Sequence, residues 1–385
     1  MGNSDNSPSS RRIDYRGIIE NLKTVAAPQF REILVDPLGG LDLEEQHLEE
    51  GDSARQALRI QRDQMREDIR TQKIGQLLGK ASETRADIEP YKKPGNKKRR
   101  TTGGTILCQL SDLHFGCTVK GIEAREKSNE FNFEIAAHRM AAYADQVIFY
   151  GNAHEAEECV IALTGDCFDS KVGKERYDKI LNSEATACEA FARGQDFVVQ
   201  FIETIRHSEV FGSVRIVGIA GNEARLFKER GHTHVMAADN WDSLLNAELA
   251  KRYDTDDDVG CDFAVNRLVA EIQGWRVLLM HGDQGLDANL SQTKCQSLLG
   301  THRADFGISG HVHDTKVTTQ WARSASLVGG DHYSSDGLGL EGRAMQNCFW
   351  LSPGQRNTYS VDLQNPDPAV EPFALTDYKG AFGVT

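Results

Sequence analysis

From residue 105 onward the chain sets down short apolar runs at 106–110, 160–163, 214–220, 277–280 and 306–308. Runs of this length, each closed by polar residues and glycine, predict buried strands. Between the first three lie two long stretches, 132–150 and 184–207, that predict helices and give an alternating β/α order. After residue 353 the pattern supports one more strand, 359–363, and irregular chain.

The first hundred residues read differently. Residues 1–15 are polar and hold Ser and Pro, which offers nothing to offset the entropy of ordering them, so a disordered tail is expected. From Asp52, a candidate N-cap, to about residue 80 there is no Pro, and Leu58, Met65, Ile69, Ile74, Leu77 and Leu78 recur near helical period. The apolar stripe is thin, so this helix is expected to dock on the main domain or on a partner, a second copy of the chain included. Residues 91–100 carry six basic side chains around a Pro-Gly break, a solvated linker or a contact for nucleic acid. The expected division is a tail at 1–15, a helical extension at 16–90, a basic linker at 91–104, the main domain at 105–352, and a strand with tail at 353–385.

Composition narrows the classes. The 385 residues carry a formal charge of −13, which argues against indiscriminate clamping of a phosphate backbone. No apolar run approaches the roughly 18 residues of a membrane helix, so no membrane association is expected. The N-terminus lacks the charged and apolar regions of a secretory signal, and position 6 is Asn where a myristoylation signal has Ser or Thr. Eight scattered cysteines without a C-x-x-C pair read as reduced thiols in a cytoplasmic protein.

The chemistry gathers where the strands close. In order come Asp112 and His114 in Ser-Asp-Leu-His, Asp166 in Gly-Asp-Cys-Phe-Asp, Asn222 in Gly-Asn-Glu, His281 in Met-His-Gly-Asp, and His311 and His313 in Gly-His-Val-His. A strand end is rigid, and in Asp112-x-His114 residues i and i+2 emerge on one side, so both are expected to reach one ion. Carboxylate, imidazole and amide oxygen together suit Mn²⁺, Fe, Zn²⁺ or Mg²⁺ better than a thiolate-seeking ion. Two ions about 3.5 to 4 Å apart and sharing Asp166 would account for so many ligands.

The ordered set D-x-H, G-D-x-x-D, G-N, a His after a strand, and G-H-x-H resembles the calcineurin-like metallophosphoesterase superfamily over about residues 106–350. Three further stretches, Gly221 to Arg225, Asp239 to Asp242 and Ser326 to Ser334, are similar to the branch often encoded by bacteriophages. The resemblance implies an α/β (α+β) sandwich: two facing mixed β-sheets flanked by helices, here with the N-terminal helical extension. It also implies two divalent metal ions. Asp112, His114, Asp166 and His313 would hold one, and Asp166, Asn222, His281 and His311 the other. Phosphate-ester hydrolysis by a metal-activated water is the implied chemistry.

Two positions stand apart from the pattern. Gly231-His232-Thr233-His234 repeats the G-H-x-H spelling but follows no apolar run, so the metal role goes to His311 and His313. His232 and His234 either face substrate or are merely exposed. Position 223 is Glu where the family has a His that assists the leaving group. Either Glu223 is an acid of raised pKa, or His232 or His234 supplies the imidazole, or Glu223 pairs with Arg225 and water protonates the leaving group. Arg225 is a candidate phosphate contact, with a surface salt bridge as the alternative. Asp169 either orients a ligand or caps a helix, and Asp283 is equally open, while His138 and His207 are left out of the site.

Three functions follow. The first is hydrolysis of phosphodiesters in nucleic acid or nucleotides, supported by the basic stretch. The others are a phosphomonoesterase and a metal-stabilised binding scaffold with weakened catalysis.

Overall fold

The computed structural model describes residues 103–124, 127–171, 177–226, 237–286, 289–330 and 342–378. The expected tail, helical extension and nearly all of the basic linker lie outside them. Strand β1 (Thr105–Leu110) is buried at every position, because both its faces are covered. It pairs in parallel with β4 (Glu158–Leu163), which pairs in parallel with β5 (Ser213–Gly218), and β5 in turn with β6 (Val259–Phe263). On the other flank β12 (Met345–Ser352) runs antiparallel to β1, and β13 (Gln355–Asp362) completes a six-stranded sheet. The expected division after residue 352 thus falls in the turn of the β12–β13 hairpin, and the strand expected at 359–363 is longer and lies within the main sheet.

A second sheet of five strands orders β10 (Lys316–Val317), β11 (Trp321–Arg323), β9 (Phe306–Ser309), β8 (Trp275–Met280) and β7 (Arg267–Ile272). It too is mixed: β8, β9 and β11 are parallel, and β7 and β10 antiparallel to their neighbours. A separate hairpin joins β2 (Val119–Ala124) and β3 (Lys127–Phe131).

The two-residue period of the strands decides which layer each side chain joins. Leu107, Val160, Ala162 and Val217 meet Val277, Leu279, Phe306 and Ile308 between the sheets. Their neighbours Ile106, Cys108, Ile161 and Ile216 point the other way, toward α1 (Phe133–Ala153), α3 (Ala187–His207) and α4 (Trp241–Tyr253). On the far side of the second sheet, Leu278, Met280 and Trp321 receive Cys295 and Leu299 of α5 (Gln292–His302). The order helix, sheet, sheet, helix is the sandwich of two facing mixed sheets that the resemblance implies.

The two long expected helices are α1 and α3. Each starts on a side-chain cap: Asn132 Oδ1 accepts from Ile135 N at 2.8 Å, and Thr186 Oγ1 from Glu189 N at 3.2 Å. They meet through Tyr143 stacked on Phe201, with 5.6 Å between ring centroids. Tyr143 also buries its hydroxyl, which donates to Asn347 O at 2.6 Å. No helix of the described residues is long and apolar enough to cross a membrane. None of the eight cysteines forms a disulfide.

Candidate metal centre

The candidate ligands lie just past the strands, where β1, β4, β5, β8 and β9 end at one rim of the sandwich. The parallel pairing of β1 with β4 continues into their loops: Asp112 N donates to Gly165 O at 3.0 Å and His114 N to Asp166 O at 3.1 Å. The backbone there is no longer extended. Asp112, His114, Asp166, His311 and His313 all take positive φ, between 45° and 79°. The pleat is therefore not what brings Asp112 and His114 to one side, contrary to expectation; two left-handed residues flanking Leu113 do so. Each such residue costs about 1–2 kcal/mol, which the surrounding hydrogen bonds must offset.

Glycine makes the loops fit. A Cβ at Gly221 would strike the Asp166 carboxylate, and one at Gly310 the Asp112 carboxylate and Ser111 Oγ. Glycine at both positions lets two backbones close on the two buried carboxylates.

Asp112, His114 and His313 form one cluster of potential ligands, all buried, with their donor atoms within 4.8 Å of one another. His114 Nδ1 donates to Asp169 Oδ1 at 2.8 Å, since a carboxylate can only accept. That leaves His114 Nε2 as a lone pair, and it faces His313 Nε2 at 3.0 Å. His313 Nε2 lies 3.5 Å from Asp112 Oδ1. Burial acts to lower the His114 pKa, and the Asp169 carboxylate overcomes it and raises it. Burial likewise acts to raise Asp112, and the His313 and His281 imidazoles hold it below its usual value. Among the described residues the Asp169 carboxylate accepts from His114 and Lys179, and it orients His114.

Asp166, His281 and His311 form the second cluster, within the same 4.8 Å limit. His281 Nδ1 donates to the Thr164 carbonyl at 2.9 Å, so Nε2 is its donor atom for a cation. This nitrogen is buried, 2.8 Å from Asp166 Oδ2, and makes no hydrogen bond of acceptable geometry. Two lone pairs that close require a cation between them, a proton or a metal ion. Consistent with this demand, Asp166 raises His281 well above its usual pKa against the opposing effect of burial. Burial and the neighbouring His281 lower His311. In both clusters the second ring nitrogen of an imidazole is fixed by an acceptor, the arrangement that orients histidine on a divalent ion. The residues present thus fit such ions.

The remaining expected residues divide. Glu223 N donates to Asp166 Oδ1 at 2.7 Å, which seats the Gly221–Glu223 turn on the second cluster. Asn222 Nδ2 donates to Glu223 Oε1 at 2.8 Å, so Oδ1 is the atom Asn222 can offer a cation. Glu223 does not pair with Arg225. Its Oε2 lies 3.7 Å from Lys179 Nζ, whereas Arg225 Nη2 donates to Asp283 Oδ2 at 2.8 Å. That Arg225 pair is buried rather than on the surface, with side chains 7% and 10% exposed. His232 and His234 lie outside the described residues.

Two functional positions carry no signal in residue spacing. Asp242, in the first turn of α4, accepts from Asp166 N at 2.8 Å, Cys167 N at 3.0 Å and Gly221 N at 2.9 Å. It ties together the loops after β4 and β5, and burial with the nearby Asp166 pushes its carboxyl up to about 7. Lys179, on the short helix α2 (Tyr177–Leu181), reaches Asp169 Oδ1 at 3.3 Å as well as Glu223.

No family model matches the chain, and no curated protein matches it. Among solved structures, a conserved protein of Streptococcus pneumoniae TIGR4, described as a predicted phosphoesterase, is 11% identical; the match covers 70% of this chain and 97% of that one with a TM-score of 0.30. Wild-type Vps29 of Entamoeba histolytica in complex with zinc is 14% identical over 67% of this chain and 99% of that one, TM-score 0.28. A 5'-nucleotidase precursor of Thermus thermophilus is 12% identical over 67% of this chain and 54% of that one, TM-score 0.28. Scores this low carry no argument about activity. The case for the site rests on its own geometry: two buried Asp/His clusters at one rim, each able to hold a metal ion.

Proposed function

We propose that the chain is a metal-dependent hydrolase of phosphodiester bonds, acting on nucleic acid or nucleotides in the cytoplasm. The observation that carries this reading is the pairing of two buried Asp/His clusters on adjoining loops, with Asp112 and His313 in one and Asp166 and His281 in the other. Asp112, His114 and His313 would hold one divalent ion and Asp166, His281, His311 and Asn222 a second, Mn²⁺ being the first choice for such oxygen and nitrogen donors. Ions bound there supply Lewis acidity and an activated water at neutral pH.

The chain's own residues then divide the work of preparing the site. Asp169 and the Thr164 carbonyl fix the tautomers and ring planes of His114 and His281. Asp242 and the Gly221 turn hold the Asp166 carboxylate in place. Burial excludes water around the carboxylates, which strengthens their interaction with any cation.

The charge balance favours diesters. Lys179 and Arg225, two cationic side chains beside this assembly, are engaged by Asp169 and Glu223 and by Asp283, and Lys171 is committed to Ser183 and Ala185. A singly charged diester needs less neutralisation than a dianionic monoester. Glu223 and Arg225 line the substrate side in this reading, and leaving-group protonation comes from water or from the His232 and His234 segment.

Hydrolysis of matched chromogenic diester and monoester substrates with added Mn²⁺, in wild type and Asp166→Asn, is the test. A diester rate that exceeds the monoester rate and vanishes in Asp166→Asn is expected. A higher monoester rate would shift the reading to a phosphomonoesterase. No turnover together with bound metal would leave a scaffold.

A further inference from the structure

Two carboxylates flank the proposed ligands without being ligands themselves, and one ammonium reaches both. Asp169 stands behind His114 of the first cluster, and Glu223 behind Asn222 beside the second. Lys179 Nζ lies 3.3 Å from Asp169 Oδ1 and 3.7 Å from Glu223 Oε2. The Lys179 side chain is 30% exposed while that of Asp169 is 3% exposed, so the ammonium bridges the two from the solvent side. Burial acts against its charge, and the two carboxylates more than offset this and raise its pKa.

We propose that Lys179 is a positioning residue for both halves of the site at once, holding His114 through Asp169 and Asn222 through Glu223. This rests on the reading of the two clusters as metal sites. It goes beyond that reading by giving Glu223 a task other than acid catalysis: its carboxylate anchors Lys179 on one side and Asn222 on the other. Without the ammonium, Asp169 and Glu223 would each lose a positive partner, and their hold on His114 and Asn222 would loosen. Among the described residues Lys171 is a second ammonium near Asp169. Lys171 Nζ donates to Ser183 Oγ and, at 2.7 Å, to Ala185 O, which commits it to the loop before α3.

The test uses the full chain as wild type, Lys179→Met, Lys179→Arg and Glu223→Gln. Mn²⁺ alone is titrated by calorimetry, and kcat and KM are measured on a chromogenic phosphodiester, with thermal melting alongside. Lys179→Met is expected to weaken Mn²⁺ binding by about tenfold to a hundredfold, the usual effect of removing a group that supports a ligand. It should lower kcat more than it raises KM. Lys179→Arg, which keeps the charge, should recover most of both losses, and Glu223→Gln should reproduce part of the Lys179→Met defect. A purely structural salt bridge would shift melting without this split and without rescue.

Mn²⁺ affinity and kcat in Lys179→Met equal to wild type would overturn the proposal while leaving the metal reading intact. Rescue no better with Arg than with Met would overturn it as well. Failure of wild type itself to bind Mn²⁺ would remove the metal reading, and this proposal with it.

Discussion

His114 and His313 come from loops 199 residues apart and meet with their Nε2 atoms at 3.0 Å. Asp169 takes the only ring proton of a neutral His114, so His114 Nε2 is a lone pair that accepts a proton from His313 or binds a cation in its place. Metal should therefore stabilise the fold. At an ion concentration about 100 times its dissociation constant, one site contributes about 2.7 kcal/mol. Differential scanning calorimetry should show melting several degrees higher with Mn²⁺ than with a chelator; superimposable melts would remove metal binding from the account.

Asp242 is the next test, because its two oxygens serve three backbone donors. In Asp242→Asn one oxygen becomes an amide nitrogen that opposes a peptide N–H. Loss of about 1–3 kcal/mol in urea unfolding is expected, the cost of stranding a buried donor. Activity should fall further than stability explains, since Asp166 loses its seat. An unchanged diester rate would show that the loop keeps its form without this carboxylate.

Glycine substitutions give a paired contrast. Gly310→Ala places a methyl against Asp112 and Ser111 and should destabilise by about 1–3 kcal/mol, as overpacking does. Gly300→Ala, within α5 and with open space around its Cβ, should stabilise by about 0.5–1 kcal/mol. Chemical denaturation of both variants checks the pair, and equal effects would mean that the Gly310 loop yields easily.

Arg225 and Asp283 separate a structural role from a substrate role. Arg225→Ala leaves a buried carboxylate without its partner, a loss of about 3–5 kcal/mol. The double variant Arg225→Met, Asp283→Leu should regain most of that stability. If Arg225 also meets the phosphate, KM for the diester stays high in the double variant; a wild-type KM would confine Arg225 to the ion pair.

Much of this was legible because the molecule buries its strands on both faces. Val160 to Leu163 and Val277 to Met280 read as unbroken apolar runs for that reason, and the polar residues after them mark the rim. Strand β6 was not legible, since Gly260, Cys261 and Asp262 are exposed and lack an apolar pattern. Helix α4 was missed too: its apolar and polar positions are hardly segregated, and its buried face includes Asp242 and Asn246. Within the site, the ligands announced themselves by residue type and order. Lys179 and Asp242 did not, because their roles depend on loops brought together by β4 and β5, a relation that no local spacing encodes. The same limit explains Glu223, which lies beside Lys179 while Arg225, two positions away, pairs with Asp283.

The left-handed backbone at Asp112, His114, Asp166, His311 and His313 has a consequence for how such a protein can change over time. Asparagine and glycine tolerate that conformation as well as or better than the residues present. Replacing Asp112 or Asp166 by glycine would relieve local strain and erase a ligand, but it would also strand the His311 and Glu223 N–H groups that these carboxylates accept. The two carboxylates are thus held by the fold as well as by the chemistry, and a descendant that abandoned the reaction would still be under pressure to keep them.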